Sequence, residues 1–238
     1  MFLSFGADAY TVLPPTGYSL RWYANILQQP QFIDGFFTSL MVALIATPCA
    51  VVGGTLAAYA LWMNRSWFTR IIEPVFLAPI MVPLVVTGLA LLAFFNKAGM
   101  YDSFLNIVVA HTIITFPYSV RAVGAMLARY DRRLDEAAAS VGARPWSTFL
   151  HVTVPLIRPG IFAGALFSFV MSFDDFAVTI FLISPNTTTL PITIYHYMEW
   201  NLDPTISALS TVLILIAIAG TLLVEKVIGL DRFVGIRT

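Results

Sequence analysis

The sequence predicts an all-α membrane protein, a polytopic helical bundle, and three observations lead there. Of its 238 residues 58% are hydrophobic and only 11% are charged, whereas a soluble domain carries roughly 25% charge. The mean hydropathy is +0.82. Apolar stretches of about 20 residues recur along the chain, the length a helix needs to cross roughly 30 Å of hydrocarbon. Nineteen Phe and nine Tyr suit lipid-facing and interfacial surfaces. A net charge of zero argues against nucleic acid as a partner. The single cysteine, Cys49, excludes an intrachain disulfide.

Residues 1–34 are of mixed polarity, with Pro14-Pro15, Pro30 and the aromatic run Tyr18-Ser19-Leu20-Arg21-Trp22-Tyr23. They lack the basic start and long apolar core of a signal peptide, and read as an interfacial segment on one membrane face. Residues 35–228 form the membrane domain, with five predicted spans near Phe36–Trp62, Ile72–Phe95, Phe104–Leu127, Gly160–Ile183 and Thr205–Ile228. Residues 129–159 are a polar loop inside it, and 229–238 a tail.

The basic residues set the orientation. Arg65, Arg70, Arg121, Arg129, Arg132, Arg133, Arg144, Arg158, Lys226, Arg232 and Arg237 all fall on one side of the five spans, and only Arg21 and Lys97 on the other. Ser184–Pro204 contains neither Lys nor Arg. The polar loop and the C-terminus are therefore expected in the cytoplasm. An odd number of spans then leaves the N-terminus outside, so a further helix is expected upstream of this sequence.

Span two contains Pro79 and Pro83, four residues apart on one helix face, and span three contains Pro117. Each removes a backbone hydrogen bond, and in lipid the freed carbonyls must be covered by neighbours or face a water-filled cavity. Kinks that only shape the bundle and a hinge or pathway wall are both compatible with this pattern. Gly53-Gly54 with Ala57-Ala58, and Gly160 with Gly164, place small residues four apart, which permits close helix packing.

Span four carries Ser172-Phe173-Asp174-Asp175-Phe176, roughly 21 Å along a helix from Gly160 and so toward the outer face. A carboxylate at the centre of a span costs about 2.5–3.5 kcal/mol on insertion scales, and such acids usually mark a pathway. Asp174 and Asp175 are read as a cation-attracting site in a substrate pathway. The alternative is a structural pair satisfied by Arg, hydroxyls or freed backbone. His111, His151 and His196 lie in span three, the polar loop and the outer loop, so no metal-ligand spacing arises, and His111 is expected to be a hydrogen-bonded bundle residue. The chain has no glycine-rich phosphate loop, so nucleotide hydrolysis would need another polypeptide.

In the polar loop Leu134, Ala137, Ala138 and Val141 follow helical spacing and give a narrow face of small apolar side chains. Gly142 is placed to end that helix in a left-handed cap. Pro145 opens a second helix, in which Trp146, Phe149, Leu150 and Thr153 repeat the spacing, and Pro155 is expected to close it. The segment resembles the EAA motif of the permease subunits of binding-protein-dependent ABC importers: Glu-Ala-Ala, three residues, Gly, nine residues, then Ile-x-Leu-Pro. Here it reads Glu136-Ala137-Ala138, Gly142 and Val152-Thr153-Val154-Pro155, with Val in place of Ile and Leu. Leu20-Arg21-Trp22-Tyr23, Ser39-Leu40 and Ala57-Ala58-Tyr59-Ala60-Leu61 are similar to the family's early segments.

That resemblance implies the type I ABC importer permease fold, usually of six spans, of which this chain would lack the first. It also implies a multi-pass protein of the bacterial inner membrane. Glu136, Ala137, Ala138, Gly142 and Pro155 would belong to a coupling helix seated in a separate ATPase subunit. That subunit would bind the ATP, so the chain itself would be no enzyme and need no cofactor or metal. A second permease subunit, identical or homologous, would complete the pathway, and Thr187–Pro191 and Tyr195–Asp203 would face a periplasmic substrate-binding protein. Ser172-Phe173-Asp174-Asp175-Phe176 is similar to the same stretch of spermidine/putrescine-type permeases, which implies polyamine uptake; ferric iron, thiamine, sulfate or a similar solute is the runner-up. An intramembrane aspartyl enzyme would need acids converging from separate helices, and a self-contained channel or secondary transporter would have no use for the EAA loop.

Overall fold

A computed structural model describes residues 2–8, 17–64, 66–201 and 203–228, with the side chains of Phe2 and of residues 221–228 excepted. Pro14-Pro15, Arg65, the side chain of Lys226, and the tail 229–238 with Arg232 and Arg237 lie outside the described residues. The elements are α1 (Arg21–Leu27), α2 (Pro30–Met63), α3 (Trp67–Met81), α4 (Leu84–Ala98), α5 (Ser103–Leu127), α6 (Arg133–Ser140), α7 (Pro145–Thr148), α8 (Val154–Phe173), α9 (Leu190–Trp200) and α10 (Thr205–Ile228). Short 3₁₀ turns form at Phe2–Phe5 and Thr179–Phe181, and a π-helical turn at Phe149–Thr153 joins α7 to α8.

Among the described residues three helical runs are long and apolar enough to cross a membrane: Pro30–Met63, Ser103–Leu127 and Pro145–Phe173. Thr205–Gly220 is a shorter apolar helix. The stretch expected as span two is not one helix. It breaks into α3 and α4, which meet at 105°. Pro83 is the cause: it has no N–H to continue the ladder, and its ring pushes Val82 into extended backbone (φ −87°, ψ 135°). Pro79 stays within α3, as does Pro74. Span four is also displaced from its expected position. Its helix begins well before Gly160 and ends at Phe173 rather than near Ile183.

The chain divides into two compact units, residues 37–189 and residues 1–36 with 190–238. In the first, α5 is the most enclosed of the long helices. It packs against α8 and α3, and small residues bring the backbones together. A Cβ on Gly54 of α2 would stand 2.6 Å from Ser119 Cβ, and one on Gly164 of α8 would stand 3.0 Å from Ser119 Cα. Ser119 is fully buried, and its Oγ lies 3.1 Å from Ser168 Oγ, which donates to the Thr115 carbonyl at 3.2 Å. Ser119 is thus where α2, α5 and α8 meet. Toward one end, Val42, Phe95, Ile107, Ile114, Val178 and Leu182 form an apolar cluster. There the segment after α8 lies against α4 at Gly88, where a Cβ would come within 2.6 Å of Phe181 Cδ2 and 3.1 Å of Val178 Cα. Toward the other end, Ala58, Val120, Val123, Leu127 and Ile157 form a second cluster.

In the other unit, Trp22 Nε1 donates to the Gly6 carbonyl at 2.7 Å, and α1 and the first 3₁₀ turn pack against α10. The stretch 184–204, expected as a loop, contains α9. It is a helix because Leu190, Ile192, Thr193 and Tyr197 are buried together, and Gly35 leaves room for Leu190, whose Cα would be 3.2 Å from an added Cβ. Asn25 Nδ2 donates to Thr205 Oγ1 at 2.9 Å, and Tyr197 Oη donates to Asp203 Oδ2 at 2.9 Å, which fixes the turn between α9 and α10.

Gly54→Ala is expected to destabilise the protein by about 1–3 kcal/mol, because overpacking against Ser119 outweighs the roughly 1 kcal/mol that alanine gains in a helix. Gly124→Ala, in the same bundle but with nothing within 4 Å of its added Cβ, should be neutral or stabilising. Thermal unfolding of the purified protein in detergent reads both, and a Gly54→Ala melting point at or above that of Gly124→Ala would contradict the packing described.

Candidate functional site

The polar segment after α5 is built from local rules. Asp131 Oδ1 accepts the Arg133 N–H at 3.0 Å and starts α6. Asp135 and Glu136 fall in the first turn, where the helix dipole favours negative charge. Gly142 closes α6 with φ +82°, and the Ala143 and Gly142 N–H groups bond the Ala138 and Ala139 carbonyls at 3.0 and 2.9 Å. This is a Schellman cap. Arg144 is extended, and Pro145 takes the first helical position of α7, where its missing N–H costs nothing.

Pro155 does not close the second helix. Helix runs without a break from Pro145 to Phe173, with Pro155 in the first turn of α8. The π-turn at Phe149–Thr153 directly precedes it, and a turn widened to i→i+5 bonding absorbs the bond that a proline cannot make. The wider turn also divides the expected second face: Phe149 and Thr153 are buried, whereas Trp146 and Leu150 are exposed. No residue of α6 is buried. Leu134, Ala137 and Val141 stand in the open, Val141 at 84% of its full exposure. The result is a knob with an uncovered apolar face, and Glu136 is exposed away from that face.

The knob is anchored from behind. Tyr130 Oη donates to Asp135 Oδ1 at 2.7 Å, and Thr153 Oγ1 lies 3.4 Å from Tyr130 Oη. Burial pushes the Tyr130 phenol up to about 12, with the Asp135 carboxylate adding to the rise.

Asp174 and Asp175 lie beyond the helix in which they were expected. Asp174 is the C-cap of α8 and is exposed, while Asp175 is buried. Asp175 Oδ2 accepts the Val178 and Thr179 N–H groups at 3.2 and 2.9 Å and the Thr179 hydroxyl at 2.8 Å. His111 Nε2 stands 3.5 Å from the same oxygen and 2.8 Å from Thr179 Oγ1, and His111 Nδ1 is 2.8 Å from Ser172 Oγ. The Asp175 contacts among these all fall on Oδ2. Asp175 also lines a cavity of about 110 Å³ with Tyr118, Met171, Ile114 and, from the α3–α4 break, Pro79, Ile80 and Leu84. Among the described residues no three His, Cys, Asp or Glu side chains are grouped so as to hold a metal ion.

The family described as the binding-protein-dependent transport system inner membrane component matches residues 50–229. This chain belongs to that family. The putrescine transport system permease protein PotI of Escherichia coli (strain K12) is 31% identical over 209 residues, covering 83% of this chain and 73% of that protein. The spermidine/putrescine transport system permease protein PotC of Haemophilus influenzae is 29% identical over 216 residues, covering 91% and 84%. Among solved structures, a bacterial ABC transporter involved in the import of the acidic polysaccharide alginate superposes with a TM-score of 0.75 at 14% identity, covering 94% of this chain and 87% of its own. The fold is that of the type I ABC importer permeases, and the protein is a multi-pass component of the inner membrane.

In this permease Glu136, Ala137, Ala138 and Gly142 come together on the α6 knob, while Pro155 sits apart in the first turn of α8. Asp174 and Asp175 are neighbours in sequence whose surroundings differ. Sequence reasoning placed His111 correctly as a bundle residue but not its tie to Asp175, and it did not single out Tyr118 or Tyr130. A histidine and a serine at the right depth on two neighbouring helices carry no local signal, since their partnership depends on how α5 and α8 pack.

Two outcomes follow for the knob. Gly142→Ala has open space around its Cβ, so only its positive φ is at stake, a cost of about 1–2 kcal/mol; Gly142→Asn should lose less. Hydrogen exchange at the Ala143 amide measures this. The Tyr130 phenol holds its proton more tightly in the folded state than in the unfolded state. Its contribution is thus fully present below pH 10 and is lost as pH rises from about 10 to about 12. The tyrosinate absorbance of wild type minus Tyr130→Phe should show that late titration, and a difference titrating at pH 10 would count against the anchored geometry.

Proposed function

We propose that this permease is the membrane-spanning subunit of an ATP-driven importer of polyamines such as putrescine and spermidine, working with a separate ATPase. The observation that carries the coupling half is the knob. Alanines at 137 and 138 let a partner backbone approach closely, and an apolar face of Leu134, Ala137, Val141 and Trp146 left in water is the surface a partner would cover. The ATPase would bind and hydrolyse the ATP, so no cofactor is assigned to this chain. A second permease subunit, identical or homologous, and a periplasmic binding protein complete the assembly. The basic residues on the face that carries the knob support a cytoplasmic C-terminus.

The substrate half rests on the two relatives and on the carboxylates. Asp174 offers an exposed negative charge at the end of α8, and Asp175 with Tyr118 lines a cavity beside the α3–α4 break. A carboxylate and an alkylammonium 4 Å apart attract by about 1 kcal/mol in water and about 4 kcal/mol at an effective dielectric near 20. An organic polycation moving from one acid to the next meets a stronger attraction that offsets the loss of its hydration, without needing a metal-type ligand cage. The aromatic ring of Tyr118, which lines the same cavity, suits an ammonium group as well.

Glu136→Ala combined with Gly142→Asp should abolish co-purification of the ATPase while the permease still inserts in the membrane; retention of the ATPase would refute the coupling role. Asp174→Asn should reduce polyamine uptake in vesicles about tenfold with the assembled complex intact. Asp175→Asn should reduce uptake and also lower thermal stability, because His111 and the Val178–Thr179 amides lose a charged partner. Uptake of putrescine and spermidine at the wild-type rate in both variants would exclude a polyamine pathway through these acids.

A further inference from the structure

The last turn of α2 is held by residues that bracket the knob. A helix ends with carbonyls that have no partner in the helix and with the negative pole of its dipole. At the end of α2 the Trp62 and Met63 carbonyls both accept from Arg132 Nη2, at 2.7 and 3.1 Å. The same guanidinium lies over the Trp62 ring, 4.5 Å from its centroid. That ring also meets Tyr130 in an edge arrangement at 5.3 Å, and Tyr130 is the residue that holds Asp135 in the first turn of α6. One turn earlier in α2, Tyr59 packs on Phe149 at 4.5 Å, in the π-turn that follows the knob. Contacts from both flanks of α6 thus converge on residues 59–63.

We infer that Arg132 is a positioning residue for transport, which makes the end of α2 move with α6. This rests on the reading of the knob as the site where the ATPase acts. Arg132 stands immediately before α6, so a displacement of the knob reaches it first. One terminal nitrogen donates to both backbone carbonyls while the guanidinium plane lies over an aromatic face, a combination of bonding and stacking that a lysine ammonium reproduces only in part. The bonds go to α2 backbone, so they pull on the helix itself rather than on a side chain that could change rotamer. Without them, α6 remains joined covalently to α5 and α8, and only the ring contacts of Trp62 with Tyr130 and of Tyr59 with Phe149 link its flanks to α2.

The test uses the complete importer, permease with its ATPase and binding protein, in vesicles, comparing wild type with Arg132→Lys and Arg132→Ala. The expected result is ATP hydrolysis within about twofold of wild type in both variants. Uptake should be reduced about tenfold in Arg132→Ala and by a smaller factor in Arg132→Lys. Spin labels at Met63 and Ala139, both exposed and the second off the apolar face, should keep one separation through the ATP cycle in wild type and show a second, ATP-dependent separation in Arg132→Ala. Hydrolysis and uptake falling in proportion would mean a structural role only and overturn the inference. So would uptake unchanged in Arg132→Ala, or an unchanged label distance in that variant. Failure of the wild-type chain to retain any ATPase would instead overturn the reading of the knob and remove the basis of this inference with it.

Discussion

A backbone that leaves its helix among apolar neighbours must find other partners for its N–H and C=O groups, and much of this permease is arranged around two such departures. At Pro83 the ladder stops because the donor is missing, and the chain turns through 105°. After Phe173 it stops without a proline, and the Val178 and Thr179 amides are taken by the Asp175 carboxylate instead. The carboxylate thereby satisfies two N–H groups at the entry to the short 3₁₀ turn that follows. That turn rests on Gly88 of α4, so the segment beyond one break is packed against the helix that begins at the other. His111 then ties Asp175 to α5, the most enclosed of the long helices.

Near the Ser119 crossing packing leaves no room for a side chain at Gly54 or Gly164, and α2, α5 and α8 behave there as one body. At the knob the opposite holds. α6 has no buried residue, and its order comes from a Schellman cap, a favourable dipole and the Tyr130–Asp135 bond. A segment held by so few contacts can be moved as a lever, provided that its base is tied to something stiff. The Arg132 grip on the end of α2, with Tyr59 on Phe149, is that base.

The knob was legible in sequence because its determinants are local. A glycine at the position of a left-handed cap, acids in the first turn and a proline at the start of the next helix act over a few residues. Pro155 was misread for an equally physical reason: a proline ends a helix only where the chain cannot widen a turn ahead of it. The pair Asp174 and Asp175 was legible as an exception to lipid chemistry. Which of the two would be buried was not, because that depends on where α8 stops and on His111, far away in the chain on α5. In the same way the prolines announced a bend in span two without its size.

The sequence by itself determined that this protein is helical and lies in a membrane, that its basic residues are unevenly spread, and that it carries a glycine-capped knob. Hydropathy, charge asymmetry and capping are properties of short windows, and short windows fix them. The tertiary structure alone decided the right-angled break at Pro83, the burial of Asp175 against His111, the exposure of Asp174, and the joining of Arg132 to α2. Each of these sets a residue against a partner from another helix, and no local rule encodes the distance at which two packed helices meet.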